Sequence, residues 1–229
     1  MSLFAIADLH LSLGTNKPMD VFNGWNDYVS RLEQNWRAVV TENDTVVIAG
    51  DISWAMKLEE TFKDFTFLES LPGKKLLLKG NHDYWWVTRK KIEDYLAANS
   101  FNSISLVFNS AKAVEQYAVC GTRGWFYEII SEEDKKILNR EVGRLETSIK
   151  AALLLNKEPV VFLHYPPIYG DNQCTEILDI LKKYNIKKCY YGHIHGGNAA
   201  KKAITGEYYG INFSLISCDY TGFVPLLVR

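Results

Sequence analysis

The sequence lacks the cysteine spacing of a zinc ribbon, a redox motif or a disulfide framework. Its 229 residues include four cysteines, and no two of them form a C-x-x-C pair. We therefore expect free thiols, which are usual in a reducing compartment. A chain of this length can bury a large core without disulfides or a structural metal. Any metal is expected to serve catalysis rather than folding.

Long apolar runs and an excess of basic charge are also missing. No stretch approaches the ~20 apolar residues of a membrane span, and residues 1–7 lack the basic segment of a signal peptide. The formal net charge is -1, and the lysines are scattered in pairs. A protein that binds long nucleic acid non-specifically needs a concentrated positive face. We predict a cytoplasmic protein with no membrane partner and no indication of a nucleic acid partner.

No linker, internal repeat or low-complexity segment interrupts the chain, and we predict one domain over residues 1–229. Short apolar runs alternate with longer amphipathic segments. Nearly continuous apolar character is typical of strands buried on both faces. The predicted strands are residues 3–7, 45–49, 76–78, 160–163 and 189–191. Helical periodicity marks residues 29–39, 58–68, 137–153 and 177–184, the third after a capping-box pattern at Ser131 and Asp134.

Two segments have strand character without helices between the strands. Residues 103–122 are interpreted as a β-hairpin with its turn near Asn109 and Ser110. Residues 208–228 are interpreted as two more strands with a break at 218–222. Both would add antiparallel strands to a βαβ core. The predicted fold class is a layered α/β sandwich of mixed sheets covered by helices.

Residues that bind metals or transfer protons follow each of the five predicted strands. They include all five histidines and are, in chain order, Asp8, His10, Asp51, Asn81, His82, Asp83, His164, His193 and His195. Sites in open α/β sheets form at the carboxyl ends of strands. In an extended chain, residues i and i+2 point the same way, so Asp8 with His10 and His193 with His195 can each aim at one cluster. Glycines 50, 80 and 192 would permit tight turns before the ligands.

The ordered series D-x-H, G-D, G-N-H-D, H and G-H-x-H resembles the motifs of the calcineurin-like metallophosphoesterase superfamily, from Asp8 to His195. The series is most similar to that of small bacterial predicted phosphohydrolases of unassigned substrate. The resemblance implies two mixed sheets flanked by helices. It also implies ligand roles. One ion would be held by Asp8, His10 and His195, the other by Asn81, His164 and His193, with Asp51 bridging both.

The resemblance further implies a mechanism for a phosphomonoester or phosphodiester substrate. A hydroxide that bridges two divalent ions would attack phosphorus, and His82 would protonate the leaving oxygen. Asp83 would orient His82. Nitrogen and oxygen ligands without thiolates suit Mn, Fe or Zn, and ligand types do not separate these metals.

The motifs of this chain differ from those of two groups of enzymes in the same superfamily. Trp54 stands where purple acid phosphatases carry a metal-binding tyrosine, and His10, which they lack, is present. Asp51 is followed by Ile52 rather than by the Arg-Gly of protein Ser/Thr phosphatases. These differences disfavour both groups.

A small substrate is predicted, and a nucleotide-like one is an interpretation of the aromatic residues that crowd the motifs. They are Trp25, Trp54, Tyr84, Trp85, Trp86, Trp125, Tyr165 and Tyr169, and they serve either core packing or base stacking. Arg123 either binds a second phosphate or lies on the surface, and residues 11–26 are predicted to form a loop over the entrance of the site.

Two alternative functions stay open. One is a nuclease of the same superfamily, disfavoured by the missing basic stripe. The other is a non-catalytic scaffold, disfavoured by the intact motifs.

Overall fold

The computed structural model describes residues 1–125 and 131–229. The strands of these residues are β1 (Leu3–Ile6), β2 (Thr45–Ala49), β3 (Lys74–Leu78), β4 (Ile104–Leu106), β5 (Lys112–Val114), β6 (Tyr117–Thr122), β7 (Glu158–Leu163), β8 (Ile168–Tyr169), β9 (Asn172–Gln173), β10 (Lys188–Tyr191), β11 (Gly206–Tyr208), β12 (Ile211–Leu215) and β13 (Leu226–Leu227). The α-helices are α1 (Tyr28–Val39), α2 (Phe62–Ser70), α3 (Arg89–Ala98), α4 (Glu132–Leu153), α5 (Thr175–Lys183) and α6 (Gly197–Ala200), and a short 3-10 helix (Leu58–Thr61) leads into α2.

Two large mixed sheets form the centre of the fold. The first has the order β13-β1-β2-β3-β4, in which only β13 is antiparallel to its neighbour. The second has the order β11-β12-β10-β7-β6-β5, with antiparallel strands at its two edges. The prediction of a layered α/β fold with mixed sheets is confirmed.

The central strands β1, β2 and β7 are mostly apolar because both faces of each sheet are covered there. All five residues of β2 are buried. Val47 and Ala49 pack between the two sheets, while Val46 and Ile48 pack on the outer face, where α1 also lies. Helix α4 covers the outer face of the second sheet through Leu138, Leu145 and Ile149. Burial of one such side chain contributes ~1.5–3 kcal/mol, so the alternating faces fix the register of each strand.

The prediction of a hairpin over residues 103–122 is wrong. Strand β4 pairs in parallel with β3 in the first sheet, whereas β5 and β6 form a hairpin at the edge of the second. The tight connection is at Glu115 and Gln116, and Asn109 and Ser110 lie where the chain passes between sheets. The prediction failed because two turn-forming segments, at residues 109–110 and 115–116, lie close together in the sequence. The pairing of β4 with β3 also leaves no pattern in the local sequence.

The C-terminal prediction of two antiparallel strands is right about the orientation of one strand and wrong about that of the other. Strand β12 joins the second sheet in parallel with β10, and β13 returns to the first sheet antiparallel to β1. The capping box at Ser131 and Asp134 is present at the start of α4. None of the described helices has the length and apolar character needed to cross a bilayer. The cytoplasmic location and the single domain over residues 1–229 stay predictions.

Candidate metal centre

The carboxyl ends of five strands meet at one edge of the two sheets, and the predicted ligands lie there. Two groups of three residues each bring their ligand atoms within 4.8 Å of one another. The first group is Asp8, His10 and His195, and the second is Asp51, His164 and His193. Each group combines residues that follow strands of both sheets, so the site depends on the way the sheets pack together.

The backbone at these ligands is not extended. The φ angles are 62° at Asp8, 45° at His10, 51° at Asp51 and 72° at His193. The argument that i and i+2 side chains of a strand share a direction is therefore wrong for these residues, although Asp8 and His10 do meet. Left-handed backbone is sparsely populated outside glycine, and Asp and His tolerate it better than most residues. Such strain is typical of functional sites.

The glycines before the ligands serve mainly as points of close contact. Gly50 has a φ of 92°, as a turn glycine does, but Gly80 and Gly192 do not have left-handed backbone. A Cβ on Gly80 would lie 2.1 Å from Asp51 Oδ1, and one on Gly192 would lie 2.5 Å from Asp8 Oδ2. A side chain at either position would push a carboxylate out of the centre.

The first group has the spacing of atoms that share an ion. His10 Nε2 and His195 Nε2 are 3.2 Å apart, and Asp8 Oδ1 is 3.4 Å from His195 Nε2. Nitrogens that each lie 2.0–2.1 Å from a tetrahedral ion are ~3.3 Å apart. Asp8 Oδ1 is buried and accepts no hydrogen bond from any described residue. A buried carboxylate oxygen without a donor is costly unless a cation lies beside it.

The second group gains an amide oxygen from Asn81. Asn81 Oδ1 lies 2.6 Å from His164 Nε2 and 3.0 Å from His193 Nδ1. Asp51 Oδ2 lies 3.4 Å from His164 Nε2 and 3.8 Å from His10 Nε2, between the two groups. One carboxylate at this position can contact ions in both groups.

Further contacts orient the imidazoles. His164 Nδ1 lies 3.1 Å from the carbonyl oxygen of Ala49, which can only accept, so Nδ1 carries the proton and Nε2 is left for a ligand bond. His195 Nδ1 lies 3.0 Å from Asp219 Oδ1, and Asp219 Oδ2 accepts the Gly196 N–H at 2.8 Å. Asp219 is not among the site residues predicted from the sequence. The signal was its position after strand β12, at the same sheet edge as the ligands.

The four imidazoles of the centre differ in protonation when no ion is bound. Burial lowers the pKa of His10 to about 4 and that of His193 to about 4, so both rings are neutral near pH 7. Burial alone would raise the pKa of Asp8, but the charges of His195 and His164 outweigh it and hold that pKa well below its usual range. Metal ligands must be deprotonated carboxylates and neutral imidazoles. The Asp8 carboxylate raises the pKa of His195 to about 10 and Asp51 raises the pKa of His164, each against the effect of burial, so an ion would displace a proton from these two rings. With those protons released, the donor set fits two divalent transition-metal ions.

The expectation that Asp83 orients His82 is wrong. The buried Asp83 carboxylate accepts the backbone N–H groups of Gly80, Asp51, Ile52 and Ser53 and the indole N–H of Trp85. The ring of His82 contributes none of these bonds. Asp83 joins the loop after β2 to the loop after β3 and holds the backbone of Asp51.

His82 stands apart from both ligand groups. Its backbone N–H donates to Asp51 Oδ1 at 2.8 Å, and its ring centroid lies 4.6 Å from that of Trp54. The ring faces a cavity of about 410 Å³, lined also by Met19, Phe22 and Trp25. These three residues come from the predicted entrance loop, residues 11–26.

The aromatic residues divide between the centre and the core. Trp25 and Trp54 line the cavity beside His82. Trp85 and Trp86 are buried in the core of the first sheet. Tyr165 packs against His193 with ring centroids 4.5 Å apart, and Trp125 packs in turn against Tyr165. Tyr84 is exposed beside His82, with its hydroxyl 3.4 Å from His82 Nδ1, and Tyr169 belongs to the small β8-β9 pair.

Similar solved structures share the fold at low identity. A protein of unknown function from Aquifex aeolicus is 17% identical, with a TM-score of 0.52, and covers 99% of this chain and 95% of its own. The phosphopantetheinyl hydrolase of Mycobacterium tuberculosis is 17% identical, with a TM-score of 0.53 and the same coverage. A protein of Thermus thermophilus is 16% identical, with a TM-score of 0.52, and covers 84% of this chain and 81% of its own. No curated protein matches.

The family comparison covers most of the chain. The model of the calcineurin-like phosphoesterase family matches residues 1–197. This span holds both ligand groups, His82 and the strands from β1 to β10. The protein is therefore a member of the calcineurin-like phosphoesterase family.

Proposed function

We propose that the protein hydrolyses a small phosphoester, with one divalent ion held in each ligand group. In this proposal the ligands are Asp8, His10 and His195 for one ion, Asn81, His164 and His193 for the other, and Asp51 for both. The observation that carries the proposal is the position of Asp51 Oδ2, 3.8 Å from His10 Nε2 and 3.4 Å from His164 Nε2. A carboxylate between two convergent ligand groups is what a two-ion centre requires.

In this proposal the ions and the residues around them have different roles in the reaction. Divalent ions at the two groups would supply Lewis acidity to the phosphoryl oxygens and a source of hydroxide near neutral pH. His82 donates a proton to the leaving oxygen from its protonated form. Burial lowers the pKa of the free ring, so in this proposal the negative charge of the bound phosphate keeps the proton there. The bond from its backbone N–H to Asp51 Oδ1 fixes the backbone of His82 relative to the centre. Asp83 and Asp219 position ligands through hydrogen bonds and do not touch substrate.

The cavity beside His82 favours a flat leaving group. Trp54 stacks on His10 with ring centroids 4.8 Å apart, and Trp25 and Phe22 line the same space. Apolar and aromatic walls with few polar groups are typical of sites for small organic ligands. A nucleotide-like or other aromatic ester, with its leaving group against Trp54, fits this cavity. Mn, Fe or Zn fits the nitrogen and oxygen ligand set.

A substrate panel with reloaded protein tests the proposal. Metal-stripped protein would be supplied with Mn²⁺, Fe²⁺ or Zn²⁺ and assayed with p-nitrophenyl phosphate and with its bis ester, to separate monoesterase from diesterase activity. We expect turnover of at least one ester. Asp51→Asn should lose both bound metal and turnover, whereas Asp179→Asn, an exposed position on α5, should keep both. Metal binding without turnover of either ester would favour the scaffold alternative and refute the proposal.

A further inference from the structure

A second cavity, at the ends of β3 and β6 and against helix α4, is strongly cationic. It measures about 180 Å³, and the charged side chains among the described residues that line it are Lys79, Arg123, Arg140 and Arg144 with one carboxylate, Glu141. Four positive groups and one negative group give it a formal charge of about +3, in a chain whose net charge is -1. Like charges this close repel one another. A cluster of this kind is stabilised when an anion lies among its members.

The Glu141 carboxylate already has an ion pair and a hydrogen bond. Glu141 is buried and pairs with Arg144 Nη1 at 2.6 Å, and it also accepts the Thr122 hydroxyl at 2.6 Å. Arg123 Nη2 lies 3.8 Å from Glu141. Among the described residues, Lys79 and Arg140 pair with no carboxylate. Glu141 thus holds Arg144 in place and leaves most of the positive charge of the cavity uncompensated.

The Arg123 side chain has a buried hydrogen-bond donor, Nε, that no described residue accepts. Its guanidinium lies over the Trp125 ring, 4.8 Å from the centroid, so the side chain is held in a defined position. A guanidinium presents several donors in a fixed plane that matches the oxygens of a phosphate. A buried donor without an acceptor is costly, and an anion in the cavity would remove this cost.

Two residues that line this cavity are joined through the backbone to residues of the second ligand group. Lys79 follows β3 and is two residues before Asn81. The carbonyl of Arg123 accepts the backbone N–H groups of His164 and Tyr165, at 3.1 and 2.8 Å. The cavity beside His82, in contrast, is lined by His10 and His195 of the first group. The apolar cavity is therefore lined by ligands of the first group, whereas the cationic cavity is linked to the second group through the loops that carry Lys79 and Arg123.

We propose that the cationic cavity binds a phosphate group of the substrate other than the one that is hydrolysed. This inference rests on the proposed function, because it places the scissile phosphate at the metal centre and the leaving group beside Trp54. The substrate class is then an aromatic phosphodiester whose retained substituent carries its own phosphate. Arg140 and Lys79 supply the charge that no carboxylate among the described residues compensates, and Arg123 supplies oriented donors.

The first test measures anion binding without catalysis. Inorganic phosphate would be titrated by calorimetry into metal-stripped protein, so that ions at the centre do not contribute. We expect Arg140→Gln to weaken binding about tenfold, because a charge-assisted contact is lost. Lys135→Gln makes the same charge change on an exposed position of the same helix and should leave the affinity within about twofold. Equal affinities in the wild type and Arg140→Gln would overturn the proposal.

The second test asks whether the bound anion belongs to the substrate. The p-nitrophenyl ester of thymidine 5′-phosphate would be compared with the same ester bearing a 3′-phosphate, in Mn²⁺-loaded protein. We expect the 3′-phosphate to raise kcat/KM about tenfold in the wild type and in Lys135→Gln, and the ratio to approach one in Arg140→Gln. A ratio that Arg140→Gln leaves unchanged would refute the substrate assignment. Failure to hydrolyse either ester would count against the proposed function, while the phosphate titration would still decide whether the cavity binds anions.

Discussion

Replacement of Gly80 by alanine tests how the loops hold the centre together. The added Cβ would lie 2.1 Å from Asp51 Oδ1 and 2.2 Å from the Asp51 backbone nitrogen. An ordinary contact distance is ~3.5 Å, so the two loops must separate by more than ~1 Å. Neither obstacle is the mobile end of a long side chain, because the Asp51 N–H is bound to Asp83 and Asp51 Oδ1 accepts the His82 N–H.

The expected cost has two parts. Overpacking of a rigid site typically costs ~1–3 kcal/mol, which should lower the free energy of unfolding of the metal-free protein by about that amount. A displacement of ~1 Å at a reacting geometry is worth about a hundredfold in rate. Gly80→Ala should therefore lose stability, metal content and turnover together, since Asp51 lies between both ligand groups.

The matched control makes the same substitution at a different place. Gly143 lies within helix α4, and a Cβ there would have no neighbour within 4 Å. Gly143→Ala should raise the unfolding free energy by ~0.5–1 kcal/mol, because alanine favours a helix over glycine. Urea unfolding of metal-free protein and metal analysis after reloading with Mn²⁺ measure both variants. A Gly80→Ala protein with wild-type stability and two bound ions would refute the view that close contact of these loops positions Asp51.

Four further predictions concern single residues or the ions. His82→Ala should keep its metal content while kcat falls ~100-fold, because the ring lies outside both ligand groups; metal analysis that shows lost ions would contradict this role. Asp219→Asn should weaken metal binding about 10–100-fold, since it loosens the contact that orients His195, and an unchanged affinity would be evidence against that function. Burial raises the pKa of the Cys189 thiol, so the folded state keeps a proton that the unfolded chain releases above pH ~8.5, and the unfolding free energy should fall with pH by up to ~1.4 kcal/mol per unit. Cys189→Ala should show a shallower fall between pH ~8.5 and ~10, and parallel curves would exclude this contribution. Chelation of the ions should leave the near-UV circular dichroism of the wild type unchanged, and loss of that signal would show that the ions fold the site.

The sequence predicted the parts of the fold in which local pattern and tertiary environment agree. Strands buried on both faces need continuous apolar residues, and β2 satisfies this along nearly its whole length. The ligands could be predicted for the same reason, because each follows such a strand closely. Helix α3 was not predicted. Only Ile92 and Leu96 of its residues are buried, too few for a helical stripe to be recognised.

The contributions of Asp83 and Asp219 depend on contacts that spacing does not encode. Asp83 lies beside His82 in sequence, which suggested a shared role, yet its carboxylate turns to the loop after β2. Asp219 is 24 residues from His195, and the pairing of β12 with β10 brings them together. Because a carboxylate is a common residue after any strand, only the three-dimensional arrangement separates a positioning residue from an ordinary turn.

The strained backbone of the centre is balanced by hydrogen bonds among the ligand loops themselves. The N–H of Asp8 donates to Gly50 and that of His10 donates to Asp51, each at 2.9 Å. The N–H of Asp51 donates to Asp83, and that of His193 donates to the Asp8 carboxylate at 2.8 Å. Each residue with left-handed backbone is thus fixed by a bond to another part of the site, and strain of ~1–3 kcal/mol at a position persists only when its surroundings hold it. Because these bonds join protein groups to one another, we expect the ligand geometry to form before metal binds, so that the binding energy of the ions is available for affinity rather than for folding.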